Sequence, residues 1–403
     1  MSSISSFDIT LVIAHFAESF QNTMRKVLQL LYLIPVKICV FLMNILWRRR
    51  YILFESYPTY TDSVKKVYDY MVAKGLGKKY GLIWVTYDKK KVDADIKVIN
   101  FMESPRKWRF YSRFAVACIS SNRQLFISHK EKGLSSFYIT HGTSIKAMRG
   151  RYVLPPEIEC MICASEGVKW LEAKELAFPE EKTVGLGLPR NDDLVSSHVD
   201  LQQLFHTTAS KFIVWYPTFR QKENKIFTNT SSLPLIHDSE LAKELNEYAK
   251  AKNILIILKP HFAQDVSYIT DYHLENILFI NDEFFRQHNI SSYQFVGSCD
   301  ALITDYSSIM YDFTLCDKPI ALIWEDIEEY RQNPGLADGI DSYLECAHKV
   351  YDMVELKSFL DIVISGNDPL EARRQEVKAI VNHSPDASNT KRVAEYIIEK
   401  ALL

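Results

Sequence analysis

The stretch ALITDYSSIMYDFTLCDKPIALIW, residues 301–324, decides the fold. Its opening Ala301–Thr304 is apolar without alternation, which marks a strand covered on both faces. The chain then turns polar at Asp305, Ser307 and Ser308, and Ser307–Leu315 carries helical character. Pro319–Trp324 is a second apolar strand. A strand, a helix and a strand in that order form a βαβ unit with parallel strands.

The same alternation recurs upstream. Strands are expected at Phe212–Pro217, Ile254–Lys259 and Ile277–Ile280, with a helix at Ser239–Lys252. An earlier set comprises Tyr51–Ser56, Tyr80–Tyr87, Ile96–Met102, Ala115–Ser120, Phe137–His141, Cys160–Ala164 and Thr183–Leu188. Asp62 to Ala73 reads as a helix, polar at its start and followed by Gly75. Two such sets predict an α/β protein with two Rossmann-type domains, at 51–200 and 201–387, meeting near residues 196–210. A last helix within 388–403 is expected to pack back on the first domain.

The 403 residues are 47% hydrophobic, enough apolar surface to offset chain entropy, so disorder is excluded. Lys and Arg number 48 against 50 Asp and Glu, a net charge of −2. Nucleic acid is therefore not an expected partner, and any basic site must be local. Seven cysteines without regular spacing fit a reducing compartment. Residues 1–50 differ from the rest. Leu28 to Trp47 is apolar over the length of a bilayer core, with Arg25 and Lys26 before it and Arg48, Arg49 and Arg50 after it. Gln29, Lys37, Asn44 and Pro35 disfavour a spanning helix, so a membrane-associating helix lying in the interface is expected. A spanning helix and a buried helix of the first domain stand as alternatives.

Several devices are missing. No P-loop spacing occurs, and Gly185 and Gly187 lack the third glycine of a dinucleotide fingerprint. Cys160 and Cys163 have no second pair, so they read as core residues rather than metal ligands. Asp93, Ala94 and Asp95, between lysines, read as a solvated turn. What survives is a set of strands that run out into polar residues. Phe137–Thr140 leads into His141, Gly142, Thr143 and Lys146, and VGLGLPRNDDL ends in Arg190, Asn191 and Asp192. FIVWYPTFR ends in Thr218 and Arg220, and Leu255–Pro260 carries Lys259 with His261 beyond it. Asp305, Ser307 and Ser308 complete the set. Ligands of open α/β sheets bind at the carboxyl ends of strands, so these residues predict a cleft between domains. Hydroxyls and free N–H groups at a helix start, with scattered cations, suit phosphate. Each feature alone has a plainer reading, as a helix cap or as a structural histidine.

Together HGTSIK, GLPRND, PTFR, LKPH and ITDYSSIMYDFTLCDKPIALIWEDIEEY resemble the CDP-glycerol glycerophosphotransferases of teichoic acid and capsule synthesis. The resemblance covers roughly residues 135–330 and extends to the tail DASNTKRVAEYI. Phe262 and Ser144 depart from it, each standing where the family has proline. The resemblance implies a GT-B-like fold, an N-terminal acceptor domain, and a C-terminal domain that binds the CDP-activated polyol donor. It implies transfer of a polyol phosphate, expected to be glycerol phosphate, to the hydroxyl of a lipid-linked or polymer acceptor, with release of CMP. His141 and His261 are then the catalytic pair, with His141 as general base. Gly142, Thr143, Lys146, Arg190, Asn191, Asp192, Thr218, Arg220, Lys259, Asp305, Ser307, Ser308, Asp312 and Lys391 are the expected substrate-binding residues. No cofactor is required by this scheme; Mg²⁺ on the diphosphate is left open. The expected place is the cytoplasmic face of a bacterial membrane, held peripherally. A GT-B glycosyltransferase using a nucleotide sugar, which would release UDP or GDP, and a non-enzymatic membrane scaffold are the alternatives.

Overall fold

The structure is a computed structural model. It describes residues 50–402 except 58, 88–91, 93–94, 123–133, 197, 219–232, 262–263, 265, 271 and 273, together with Met24 and Ile38. Two parallel sheets dominate it. The first has seven strands in the order β3-β2-β1-β4-β5-β6-β7: β1 Tyr51–Glu55, β2 Gly81–Thr86, β3 Val98–Asn100, β4 Ala115–Ser120, β5 Ser135–Ile139, β6 Cys160–Cys163 and β7 Thr183–Gly185. The second has six in the order β10-β9-β8-β11-β12-β13: β8 Lys211–Trp215, β9 Ile254–Leu258, β10 Ile277–Phe279, β11 Ala301–Thr304, β12 Ile320–Ile323 and β13 His348–Val350. Each sheet reverses its strand order once, between β1 and β4 and between β8 and β11. Such a reversal opens a crevice at the carboxyl ends of the two strands.

The apolar runs become strands because both faces are covered. Ile254–Leu258 is buried throughout, and Ile256 and Leu258 pack in a different cluster from Leu255 and Ile257. That is the two-sided burial of a parallel sheet under helices. The register runs in step across the second reversal, pairing Ala301 with Ile213 and Ile303 with Trp215.

Seven helices matter for the site: α1 Asp62–Ala73, α2 Pro105–Arg113, α3 Lys169–Glu175, α4 Asp192–Ser196, α5 Ser292–Ser298, α6 Ile309–Phe313 and α7 Asn389–Leu402. Helix α7 packs against α1, β4 and β5 of the first sheet. Val393, Ala394 and Ile397 are its buried face, and Tyr70 of α1 donates to Glu395 at 2.8 Å. The two halves also meet through α4 and α5, where a Cβ on Gly297 would lie 2.4 Å from the Leu194 carbonyl. Only glycine lets the backbones approach so closely. Ser291 donates to Asp193 at 2.7 Å, and Lys66 holds the other oxygen of that carboxylate at 2.6 Å.

Several expectations change: β3 is Val98–Asn100 where Ile96–Met102 was expected, and β7 ends at Gly185 rather than Leu188. The helix read over Ser307–Leu315 starts at Ile309, and its last part is a 3₁₀ turn at Thr314–Cys316. The strand read to His141 stops at Ile139: Thr140 still donates to the Ile162 carbonyl at 3.0 Å, and the chain turns into a loop at His141. β13 was not foreseen. Apart from Ile38, the apolar segment Leu28–Trp47 lies outside the described residues, as does the Asp93–Ala94 pair. Among the described residues no helix is long and apolar enough to cross a membrane.

Candidate active site

The loop after β5 is the centre of the site. His141 is exposed there, while Gly142 and Thr143 are buried. Gly142 has φ of +126°, a backbone that L side chains rarely adopt. A Cβ at this position would lie 2.5 Å from Ser308 Oγ and 2.8 Å from Arg190 Nη2. The first-sheet loop is thus seated directly on the turn between β11 and α6 of the second. Two carboxylates of α3 hold the continuation of the loop. Glu172 accepts from the Ser144 N–H at 2.6 Å and Glu175 from the Met148 N–H at 2.7 Å. Burial raises the Glu172 carboxyl to about 7.

Arg190, after β7, ties the parts together. It donates to the His141 carbonyl at 2.6 Å, to Asp312 Oδ2 at 2.8 Å and to Asp62 Oδ2 at 3.2 Å. Asp312 of α6 is buried and also accepts from Tyr293 Oη at 2.7 Å and Asn191 Nδ2 at 3.0 Å. Asp62 faces His141 Nδ1 at 3.4 Å. Burial alone would raise the Asp62 carboxyl, but the Arg190 charge and the His141 ring hold it well below the usual carboxylate range. Asp62 was not among the expected site residues.

The second sheet contributes at its strand reversal. Asp305, after β11, accepts from the Thr218 N–H at 2.9 Å, from the Thr218 hydroxyl, and from its own neighbour's N–H at Tyr306, 2.6 Å away. Thr218 follows β8, so this bond spans the crevice mouth. Lys259 and His261 follow β9, and Lys259 pairs with the exposed Asp282 at 2.9 Å. Burial, Lys259 and Lys146 together push the His261 imidazole below its ordinary value. Lys146 belongs to the first-sheet loop, and its backbone bridges to Leu336 of the second half. Ser308 caps α6 without a side-chain capping bond.

Not every expected residue joins this cluster. Asp192 is engaged elsewhere: its two oxygens accept from the Asn389 and Thr390 N–H groups at 2.9 and 2.8 Å, clasping the start of α7. A carboxylate so engaged caps the helix. Asp305 likewise serves the Thr218 turn rather than the start of α6, which lies at Ser308. Lys391 stands exposed on α7, and the bonds that build the cluster do not include it. Arg220 lies outside the described residues. Thr143 Oγ1 is buried with no hydrogen-bond partner. No group of three or more metal-ligating side chains comes together among the described residues.

An exposed imidazole, a second one among lysines, and hydroxyls at a strand reversal can activate a hydroxyl nucleophile and hold a diphosphate beside it. Comparison with known proteins agrees. The chain is 26% identical over 314 residues to a teichoic acid poly(glycerol phosphate) polymerase of Bacillus spizizenii, covering 70% of this chain and 75% of that one. A polymerase of the same description from Staphylococcus epidermidis is 24% identical over 73% of this chain, which spans only 42% of that relative. The solved structure of the wall teichoic acid polymerase TagF superposes with a TM-score of 0.66 at 21% identity, over 87% of this chain and 89% of that one. The family profile described as CDP-glycerol:poly(glycerophosphate) glycerophosphotransferase matches residues 38–399, and the chain belongs to that family.

Proposed function

We propose that this transferase of teichoic acid synthesis moves glycerol phosphate from CDP-glycerol to a hydroxyl of a growing polymer, with the named residues in the following roles. His141 takes the proton of the acceptor hydroxyl. The acceptor oxygen forms a bond to the distal phosphorus, the bond from that phosphorus to the bridging oxygen breaks, and CMP leaves with the electron pair. His261, Lys259 and Lys146 face the diphosphate and offset the charge that builds on it, joined by Ser307, Ser308 and Arg220. Thr218 and Asp305 shape the donor end of the crevice at the β8/β11 reversal. The observation that carries this reading is the seating of Gly142 on Ser308. It puts the His141 loop of one half against the serine turn of the other. Two domains at 51–200 and 201–387, in a GT-B arrangement with 388–403 returning to the first, accommodate this division of labour.

The test is turnover with CDP-glycerol and CDP-ribitol against an acceptor panel, read as CMP released. His141→Ala lowers turnover by at least ~10² while the donor still binds. Turnover within a few-fold of wild type refutes the base assignment, and release of UDP or GDP from a nucleotide sugar refutes the donor class. We also keep the cofactor reading that the protein needs no resident metal. Turnover abolished by chelation and restored by one tightly bound metal equivalent overturns it.

The proposed site of action is the cytoplasmic face of the membrane, reached peripherally. In addition to the sequence of Leu28–Trp47, the described surface supports this: Met102, shortly before α2, is 69% exposed, and Arg106, Lys107 and Arg109 are exposed on α2. Apolar side chains next to basic ones suit an anionic lipid surface. Pelleting with anionic vesicles that weakens with salt is the expected result, and its absence removes the membrane from the account.

A further inference from the structure

We propose that Asp62 is the positioning residue for His141: it fixes the imidazole through Nδ1 and leaves Nε2 to the acceptor hydroxyl. This rests on the assignment of His141 as the base, and adds the group through which that base is oriented.

Three features of the structure point the same way. The carboxylate oxygen Oδ2 lies 3.4 Å from His141 Nδ1, although the two residues are 79 apart in sequence. Contacts of this kind are often long before substrate is bound and tighten in the reacting complex. The imidazole itself is 42% exposed at its side chain, so without a partner its ring is free to rotate. Second, the Asp62 backbone has φ of +63°, a left-handed conformation uncommon for a residue with a side chain. Strained backbone persists where the surroundings over-determine it, and it gathers at functional sites. Here it stands at the first residue of α1, after an extended Thr61 and two residues beyond Tyr60 at φ of +55°. Third, the carboxylate is itself held. Its Oδ1 accepts from the Ser63 N–H at 2.7 Å, and the Arg190 guanidinium lies 3.2 Å from Oδ2. The same Arg190 binds the His141 carbonyl at 2.6 Å, so one guanidinium fixes both the backbone of the base and the carboxylate beside its ring.

The chemistry follows from these positions. An imidazole that accepts a proton at one nitrogen must present the other as N–H. A carboxylate at Nδ1 selects the tautomer with hydrogen there and the lone pair at Nε2, and it then faces the imidazolium formed when the acceptor loses its proton. Arg190 keeps Asp62 charged for this task. Asp62 touches neither donor nor acceptor and acts only through the ring.

The test uses the full chain with Asp62→Asn and Asp62→Gly. Both residue types tolerate the left-handed backbone, so the loop keeps its course while the charge is lost. Each variant is expected to lower kcat at least ~10-fold, and by no more than His141→Ala does, with donor affinity unchanged. The decisive reading is the double variant. If Asp62 works through His141, adding Asp62→Asn to His141→Ala lowers kcat no further. Near-wild-type kcat in both Asp62 variants overturns the proposal while leaving the base assignment intact, provided that His141→Ala is inactive. An added loss on the His141→Ala background, or failure of both variants to fold, makes Asp62 a structural clasp for Arg190 and also overturns it. If His141→Ala turns over normally, the base assignment itself has failed.

Discussion

Asp312→Asn tests the bridge between the halves at its most buried point. Three donors converge on the two oxygens of this carboxylate: Arg190 Nη2 and Tyr293 Oη on Oδ2, and Asn191 Nδ2 on Oδ1. The group is 1% exposed, so water cannot replace a lost partner. Breaking one side of a buried ion pair typically costs about 3–5 kcal/mol, because the other charge stays buried. Two features place this case at the lower end. Arg190 keeps Asp62, and the Asn191 Oδ1, which has no partner, can accept from the new amide once the Asn191 side chain flips. The expected loss is about 3 kcal/mol. With an unfolding entropy of about 2.1 cal/mol/K per residue over 403 residues, that lowers the midpoint by about 3–4 °C if the chain unfolds as one unit. The assay is calorimetry beside urea unfolding followed by fluorescence, since Trp84 and Trp215 are buried in the first and second sheets. Asp338→Asn is the control. Its partner Lys174 also lies across the two halves, but Asp338 is 84% exposed, and no measurable shift is expected. A midpoint for Asp312→Asn within about 1 °C of wild type would refute the view that this carboxylate joins the halves.

Gly142→Ala should be more damaging to turnover than to folding. The left-handed backbone and the overlap with Ser308 cost about 1–3 kcal/mol, and relief requires the His141 loop to move off the serine turn, so kcat falls while circular dichroism is retained. Glu172→Gln should change the pH dependence of stability. Burial raises this carboxyl from 4.5 to about 7, so the folded chain keeps a proton that the unfolded chain loses, and stability falls as pH rises between those values. The substituted amide has no proton to lose. The variant is expected to match wild type near pH 4 and exceed it at pH 8 by up to about 3 kcal/mol, at 1.36 kcal/mol per pH unit. Parallel midpoint curves for the two proteins would remove Glu172 from the account.

The sheets were legible because their strands are continuous apolar runs whose identity does not depend on distant contacts. Ile254–Leu258 and Ala301–Thr304 could hardly be anything else in a chain of this composition. β13 escaped because His348–Val350 is three residues long with two polar side chains, and it becomes a strand only by pairing Ala321–Ile323 of β12. The loops of the candidate site were legible where polar residues follow an apolar strand, as at His141, Lys259 and Asp305. It was not legible where a residue's meaning depends on what it faces. Asp192 and Asp312 are both aspartates near helix starts. The fold turns one into a cap for α7 and the other into the acceptor for Arg190, Asn191 and Tyr293. Asp62 reads in the sequence as an ordinary polar residue at the start of a helix. Its left-handed backbone and its approach to His141 exist only once β1 and β5 lie in one sheet.

Helix α7 imposes an order on biosynthesis. The first sheet is complete by Gly185, yet the wall that Val393, Ala394 and Ile397 supply to α1, β4 and β5 comes from the far end of the second half. At 5–20 residues per second, the stretch from residue 200 to residue 389 takes roughly 10–40 s to emerge from the ribosome. Throughout that interval the strip on α1, β4 and β5 lacks the cover that α7 gives it in the folded chain. Asp192, waiting on the same surface, receives the Asn389 and Thr390 N–H groups only when α7 arrives. The half that is synthesised first thus receives its last wall from the segment that is synthesised last.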